Sequence, residues 1–258
     1  MIRTVHAEWT KLRTVPGTVR MLLGVVALTA VLGVIADTAA QCPAGGCSLD
    51  PARTSLTGIY LGQAVVVVLA VLAISGEYAN GMIRTTFTAM PRRTGVLAAK
   101  AVVVTGAVLA AGAPAVLVSL LAGRLILPGH GFTAANGSPS LSAGDGAVLR
   151  AALGSVLYLG LIALLSLGVA AAVRESAAAT GLVLGLLYLV PLLLAIVSDA
   201  AWKRHIEQIA PMMAGLDVQA TTGLSSLPLS PWQGIGVLAA WAAGALAAGG
   251  LQLRFRDA

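Results

Sequence analysis

Six long apolar runs, parted by stretches that collect nearly all of the charge, set the pattern of this chain. They cover residues 19–36, 55–75, 101–122, 151–173, 177–197 and 234–251. The first reads VRMLLGVVALTAVLGVIA, with Arg20 at its edge, and the second holds no charge at all. Each run is close to the roughly 20 residues that a helix rising 1.5 Å per residue needs to cross the hydrocarbon of a bilayer. Backbone N–H and C=O groups have no water to bond there, so such runs predict helices. The expected fold is an all-α integral membrane protein, a single transmembrane domain over residues 1–258 with six spanning helices. Only Arg174, Glu175 and Ser176 stand between the fourth and fifth runs, which predicts an antiparallel hairpin with a tight turn.

The polar stretches have patterns of their own. Ile2, Val5, Trp9 and Leu12 recur at helical spacing, and Arg3, Glu8, Lys11 and Arg13 fill the remaining arc. Residues 1–18 therefore predict an amphipathic interfacial helix with Trp9 at the boundary and a bend at Pro16 and Gly17. Between the second and third runs stands SGEYANGMIRTTFTAMPRR, Ser75 to Arg93. Gly81 permits a sharp turn, Met82 to Met90 are long enough for about two helical turns, and Pro91 stops them. Met82, Ile83, Phe87 and Met90 are apolar, whereas Arg84, Thr85, Thr86 and Thr88 are polar. On residues alone this is either a basic loop that sets topology or a short helix that rests on a second surface. In residues 198–230, Trp202, Ile206, Ile209 and Met213 stand at helical spacing, broken at Pro211 and Gly215. That segment reads either as an extramembrane loop or as short helices dipping into the outer leaflet with Trp202 as anchor.

Composition narrows the class further. Apolar residues make up 58% and charged residues 10%, against about 25% charged in soluble domains, which excludes a soluble enzyme and a disordered chain. The net charge of +6 admits nucleic acid or a membrane face as partner, and the distribution decides between them. Arg53, Arg124, Arg150, Lys203 and Arg204 fall on one side of the predicted bundle, and the other eleven of the 16 basic residues fall on the side of the N-terminus. Both termini are expected in the cytoplasm, and the positive excess needs no nucleic acid. Cys42 and Cys47 then sit in the first outward loop within CPAGGC, where oxidation and a flexible loop favour a disulfide. With Asp37 and Asp50 as the nearest acids, the two thiols make a poor zinc set.

Catalytic signatures are missing from the sequence. His6, His130 and His205 have no ligand partner four residues on, and there is no G-x-S-x-G, H-E-x-x-H or G-x-x-x-x-G-K-[ST]. The chain is expected to be no enzyme and to hold no metal. The apolar layer reads as almost empty of ionisable groups, which argues against a proton- or sodium-coupled carrier and requires energy from outside the chain.

The pattern Glu77-Tyr78-x-x-Gly81-x-Ile83-Arg84-x-Thr86, closed by Pro91-Arg92-Arg93, resembles the loop after the second span of bacterial ABC-2 type transporter permeases, particularly compact actinobacterial ones. Glu8 to Thr14 (EWTKLRT) is similar to their N-terminal helix, and Leu229 to Ala258 to their last span. The resemblance implies that Ala79 to Met90 form a cytoplasmic coupling helix docking into a cleft on a separate ABC ATP-binding subunit. It places the helix bearing Glu8, Trp9, Lys11, Leu12 and Arg13 beside that dock. It also implies a re-entrant outer cap carrying Trp202, Ile206, Pro211 and Gly215 before the sixth span, though Pro211-Met212 stands where related permeases often have Pro-Ser. ATP and Mg would be held by the partner, with no cofactor in this chain, and a second permease chain would complete a homodimer in the bacterial cell membrane. The expected function is the permease subunit of an exporter for a hydrophobic or amphipathic compound. The alternative is a non-transporting scaffold that anchors a cytosolic partner.

Overall fold

A computed structural model of the chain describes residues 2–43, 47–79, 93–142, 144–196 and 198–255. Six helices among them are long and apolar enough to cross a membrane. They are α2 (Pro16–Ala39), α4 (Ile59–Ala79), α5 (Arg93–Ile126), α6 (Gly146–Val173), α7 (Ser176–Leu194) and α10 (Pro231–Phe255). Four shorter helices are α1 (Ile2–Thr14), α3 (Pro51–Ser55), α8 (Ala200–Ile209) and α9 (Pro211–Leu216). No strand occurs among the described residues, and the chain is an all-α, six-span membrane protein.

Several helices run beyond the apolar runs that announce them. Pro16 opens α2 at a position where a missing N–H costs nothing, so the turn away from α1 falls at Val15. At 34 residues α5 is about 51 Å long, well over the roughly 30 Å of hydrocarbon, so it projects past the layer. Acids start four of the helices by accepting from otherwise unpaired N–H groups. Asp50 caps α3, Asp145 caps α6, Glu175 caps α7 and Asp199 caps α8. The tight turn between α6 and α7 is made by Arg174 in the left-handed region (φ 66°), a rare place for a residue with a side chain, followed directly by the Glu175 cap. Within α7, residues Gly185–Leu189 widen into a π turn just before Pro191, which has no N–H to give the regular ladder.

The core centres on α6, whose broadest contact is with α10 and which also packs on α4 and α5. Two glycines bring α6 and α10 together backbone to backbone: a Cβ on Gly168 would stand 2.5 Å from the Ala245 carbonyl carbon, and one on Gly249 2.6 Å from the Gly168 carbonyl oxygen. Small residues serve this purpose in a membrane, where apolar side chains gain nothing by leaving lipid and close packing must hold helices together. The outward faces carry exposed apolar side chains such as Leu23, Leu125 and Leu192, the surface that lipid would cover.

Candidate functional site

At the end of the bundle that carries the N-terminus, α1 lies against α5 and α2. Its contact is electrostatic at the centre. Glu8 is 4% exposed and accepts from Lys100 Nζ at 2.6 Å and from Lys11 Nζ at 3.2 Å, and Lys100 is itself 5% exposed. Glu8, expected on the polar arc of this helix, is buried against α5, whereas Trp9 is exposed on its surface. The cause is Lys100 on α5, which offers Glu8 a charge-assisted bond that no arrangement of α1 alone reveals. Leu12 packs against the core and Arg13 is exposed. A cavity of about 430 Å³ opens between α1, α2, α4 and α5, walled by Leu12, Met21, Leu72 and Val103 with Lys11 and Lys100 at one side.

The residues assigned to ATPase coupling border this region. Glu77 and Tyr78 belong to the last turn of α4, and Arg93 begins α5 two turns before Lys100. Gly81, Ile83, Arg84, Thr86, Pro91 and Arg92 lie outside the described residues.

At the opposite end, Cys42 and Cys47 are joined by a disulfide. The segment they close is pinned by backbone bonds from Cys42 N to His130 O at 3.0 Å and from Cys47 N to Asn136 O at 3.2 Å. Asp50, besides capping α3, accepts from the N–H and hydroxyl of both Thr221 and Thr222. Arg53 donates to Asp217 at 2.7 Å, and Arg150 donates to the carbonyl of Ala220. The segment before α10 is therefore stitched to α3 and to the first turns of α6. Of the residues assigned to an outer cap, Trp202 is exposed and Ile206 half-buried on α8, while Pro211 and Gly215 are buried in α9. The break expected at Pro211 is present, since α8 ends at Ile209 and α9 starts at Pro211, while Gly215 lies inside α9, where a Cβ would stand 2.7 Å from the ring of Tyr158.

These elements enclose a vestibule of about 960 Å³. Its walls combine Tyr60, Met212, Met213 and Leu216 with the polar groups Asp50, Arg53, Glu207, Asp217 and Gln219. Burial pushes the Asp217 carboxyl above its ordinary 3.8, and the Arg53 guanidinium opposes that rise only in part. Beneath the vestibule Gln63 is fully buried, accepts from the Tyr158 hydroxyl and donates to the Met212 sulfur at 3.4 Å. The Tyr188 hydroxyl donates to the carbonyl of Tyr60. Sequence reasoning passed over this polar floor, although Gln63 is the one amide in the six apolar runs.

One acid stands at the end of the first spanning helix: Asp37 lies in the last turn of α2, fully buried. Ser55 Oγ donates to Asp37 Oδ1 at 2.8 Å, while Oδ2 is buried with no hydrogen-bond partner among the described residues. Gly123 on α5 makes the room, since a Cβ there would stand 1.9 Å from Ser55 Oγ and 3.1 Å from Asp37 Oδ2. No group of three His, Cys, Asp or Glu side chains poised for a metal occurs among the described residues. Compared with known proteins, the chain matches no family model and no curated protein sequence.

Proposed function

We propose that this chain is the permease subunit of an ATP-binding cassette transporter that exports a hydrophobic or amphipathic compound, with a separate ATPase and a second permease chain as partners. It would act in the bacterial cell membrane with both termini in the cytoplasm. The observation that carries the reading is the buried Glu8–Lys100 pair. Residues 80–92 join α4 to α5, and the pair fastens α1 to α5 close to that junction. Force applied at the junction reaches a single long helix, α5, whose broadest contacts are with α2 and α6 and whose far end borders the outer loops. The mechanism is a shift between two conformations of the bundle, biased by differential binding of the motor to each, with no bond chemistry in this chain. ATP and Mg would be bound by the partner, because the 258 residues contain no phosphate-binding loop motif.

The test is copurification of the full chain with a P-loop ATPase encoded beside its gene, followed by ATPase stimulation by candidate cargoes. Arg84→Glu and Gly81→Val are expected to insert normally and to uncouple ATP hydrolysis from export. Normal coupling in both variants would defeat the assignment of the coupling segment. A chain that captures a cytosolic partner but moves nothing would be the scaffold.

A further inference from the structure

The acids of this chain are scarce enough to account for one by one. Of the 10, Glu77 and Asp257 lie where no side chain is described. Asp50, Asp145, Glu175 and Asp199 cap helices, Glu8 pairs with Lys100, Asp217 pairs with Arg53, and Asp37 accepts from Ser55. Glu207 alone makes no hydrogen bond or ion pair with a described residue. It stands half-buried on α8 in the wall of the 960 Å³ vestibule.

We propose that the vestibule binds a monovalent organic cation with an apolar body, and that Glu207 supplies the counter-charge. The charge of the wall excludes an anion: Asp50, Asp217 and Glu207 face a single cation, Arg53, which Asp217 already holds at 2.7 Å. Asp50 accepts only from neutral N–H and O–H groups, so its charge is dispersed but not cancelled. The carboxylates do not gather into a group of three poised for a metal among the described residues, whereas Tyr60, Met212, Met213 and Leu216 in the same wall suit a soft, poorly hydrated cation. The volume lies in the range of about 300–1,000 Å³ that encloses drug-sized molecules.

This site names the cargo class for the transport reading and rests on that reading for the cation being cargo; the binding itself does not. The full chain, reconstituted without any ATPase in phosphatidylcholine nanodiscs, is titrated with rhodamine 6G, a cation carrying ester and ether oxygens, and followed by fluorescence anisotropy. Saturable binding above that of empty nanodiscs is expected, with none for the anion fluorescein. Glu207→Gln, which removes charge at a half-exposed position without a contact to lose, is expected to weaken binding about tenfold, and Glu207→Asp to keep most of it. No saturable binding, or equal binding by wild type and Glu207→Gln with matching thermal midpoints, would overturn the site. Binding without a copurifying ATPase leaves the site standing and removes the transporter; a copurifying ATPase without binding does the reverse.

Discussion

The loops at the disulfide end are fastened to one another by many bonds of different kinds: a disulfide, Asp50 on Thr221 and Thr222, Arg53 on Asp217 and Arg150 on Ala220. At the opposite end Glu8 is joined to Lys100 at 2.6 Å, and Arg174 makes a longer contact with Gln252 O at 3.4 Å. Distributed bonds hold a shape against the loss of any one of them. A buried charge pair concentrates its contribution in two residues, one on α1 and one on α5.

Removing Glu8 tests the concentrated tie most severely. Breaking a buried pair by truncating one partner costs up to about 3–5 kcal/mol, because the remaining charge loses a closely bonded counter-charge. Glu8→Ala is expected to lower the thermal midpoint of the purified chain more than any single change at the disulfide end. Glu8→Leu combined with Lys100→Leu should recover most of that loss, since apolar replacement of both partners removes the desolvation cost along with the attraction. If the double variant is no more stable than Glu8→Ala, the pair does not carry the junction.

Close packing near the disulfide end is the next largest contributor. A Cβ on Gly58 would stand 2.0 Å from the carbonyl oxygen of Thr29, so Gly58→Ala must part α2 from the start of α4, at about 2–3 kcal/mol. Gly181 and Gly185, which form a G-x-x-x-G in α7, would meet nothing within 4 Å. Gly181→Ala is expected to leave the midpoint unchanged in the single chain. Equal losses at Gly58 and Gly181 would contradict this packing.

The helical count was legible because length and apolarity alone decide it: a run without charge for about 20 residues has one structure available in lipid. What was not legible depends on residues far apart. Glu8 looks like a surface residue until Lys100, 92 positions later, is placed beside it. Asp37 reads as the first residue of a loop, yet Ser55 and the space left by Gly123 let α2 continue past it to Ala39. The break read at Pro211 is there, and what the pattern did not reveal is that the same residue opens α9. The vestibule is the extreme case, since the Asp50 bonds that help to shape it bridge 171 positions.

Loosening one of the distributed ties should cost less. Asp50→Ala removes the α3 cap and leaves the Thr221 and Thr222 donors without their acceptor, at about 1–2 kcal/mol. Because Arg53, Arg150 and the disulfide persist, the fold should survive and the segment 198–230 should become the first site of limited proteolysis. Cleavage elsewhere first would mean that Asp50 does not anchor that segment.

The smallest effect expected is one of pH. Asp217 binds its proton more tightly in the folded chain than at its ordinary 3.8, because burial outweighs the attraction of Arg53. Between 3.8 and the raised folded value the native state holds a proton that the unfolded state has lost, so stability falls as pH rises through that window and is flat on either side. The sign is opposite to that of a carboxylate stabilised by its ion pair. The Arg53–Asp217 contact is therefore a fastener that fixes position at a small cost in stability, in keeping with the weak net value of partly buried pairs. Asp217→Asn should abolish this part of the pH dependence and change the neutral-pH midpoint by the equivalent of less than about 1 kcal/mol, since Arg53 is 42% exposed and can be hydrated. Thermal midpoints of wild type and variant, measured from pH 3.5 to 8, are expected to converge at low pH. A wild-type chain that gains stability relative to the variant as pH rises would show that Arg53 wins over burial, and would move this contact into the same class as Glu8 and Lys100.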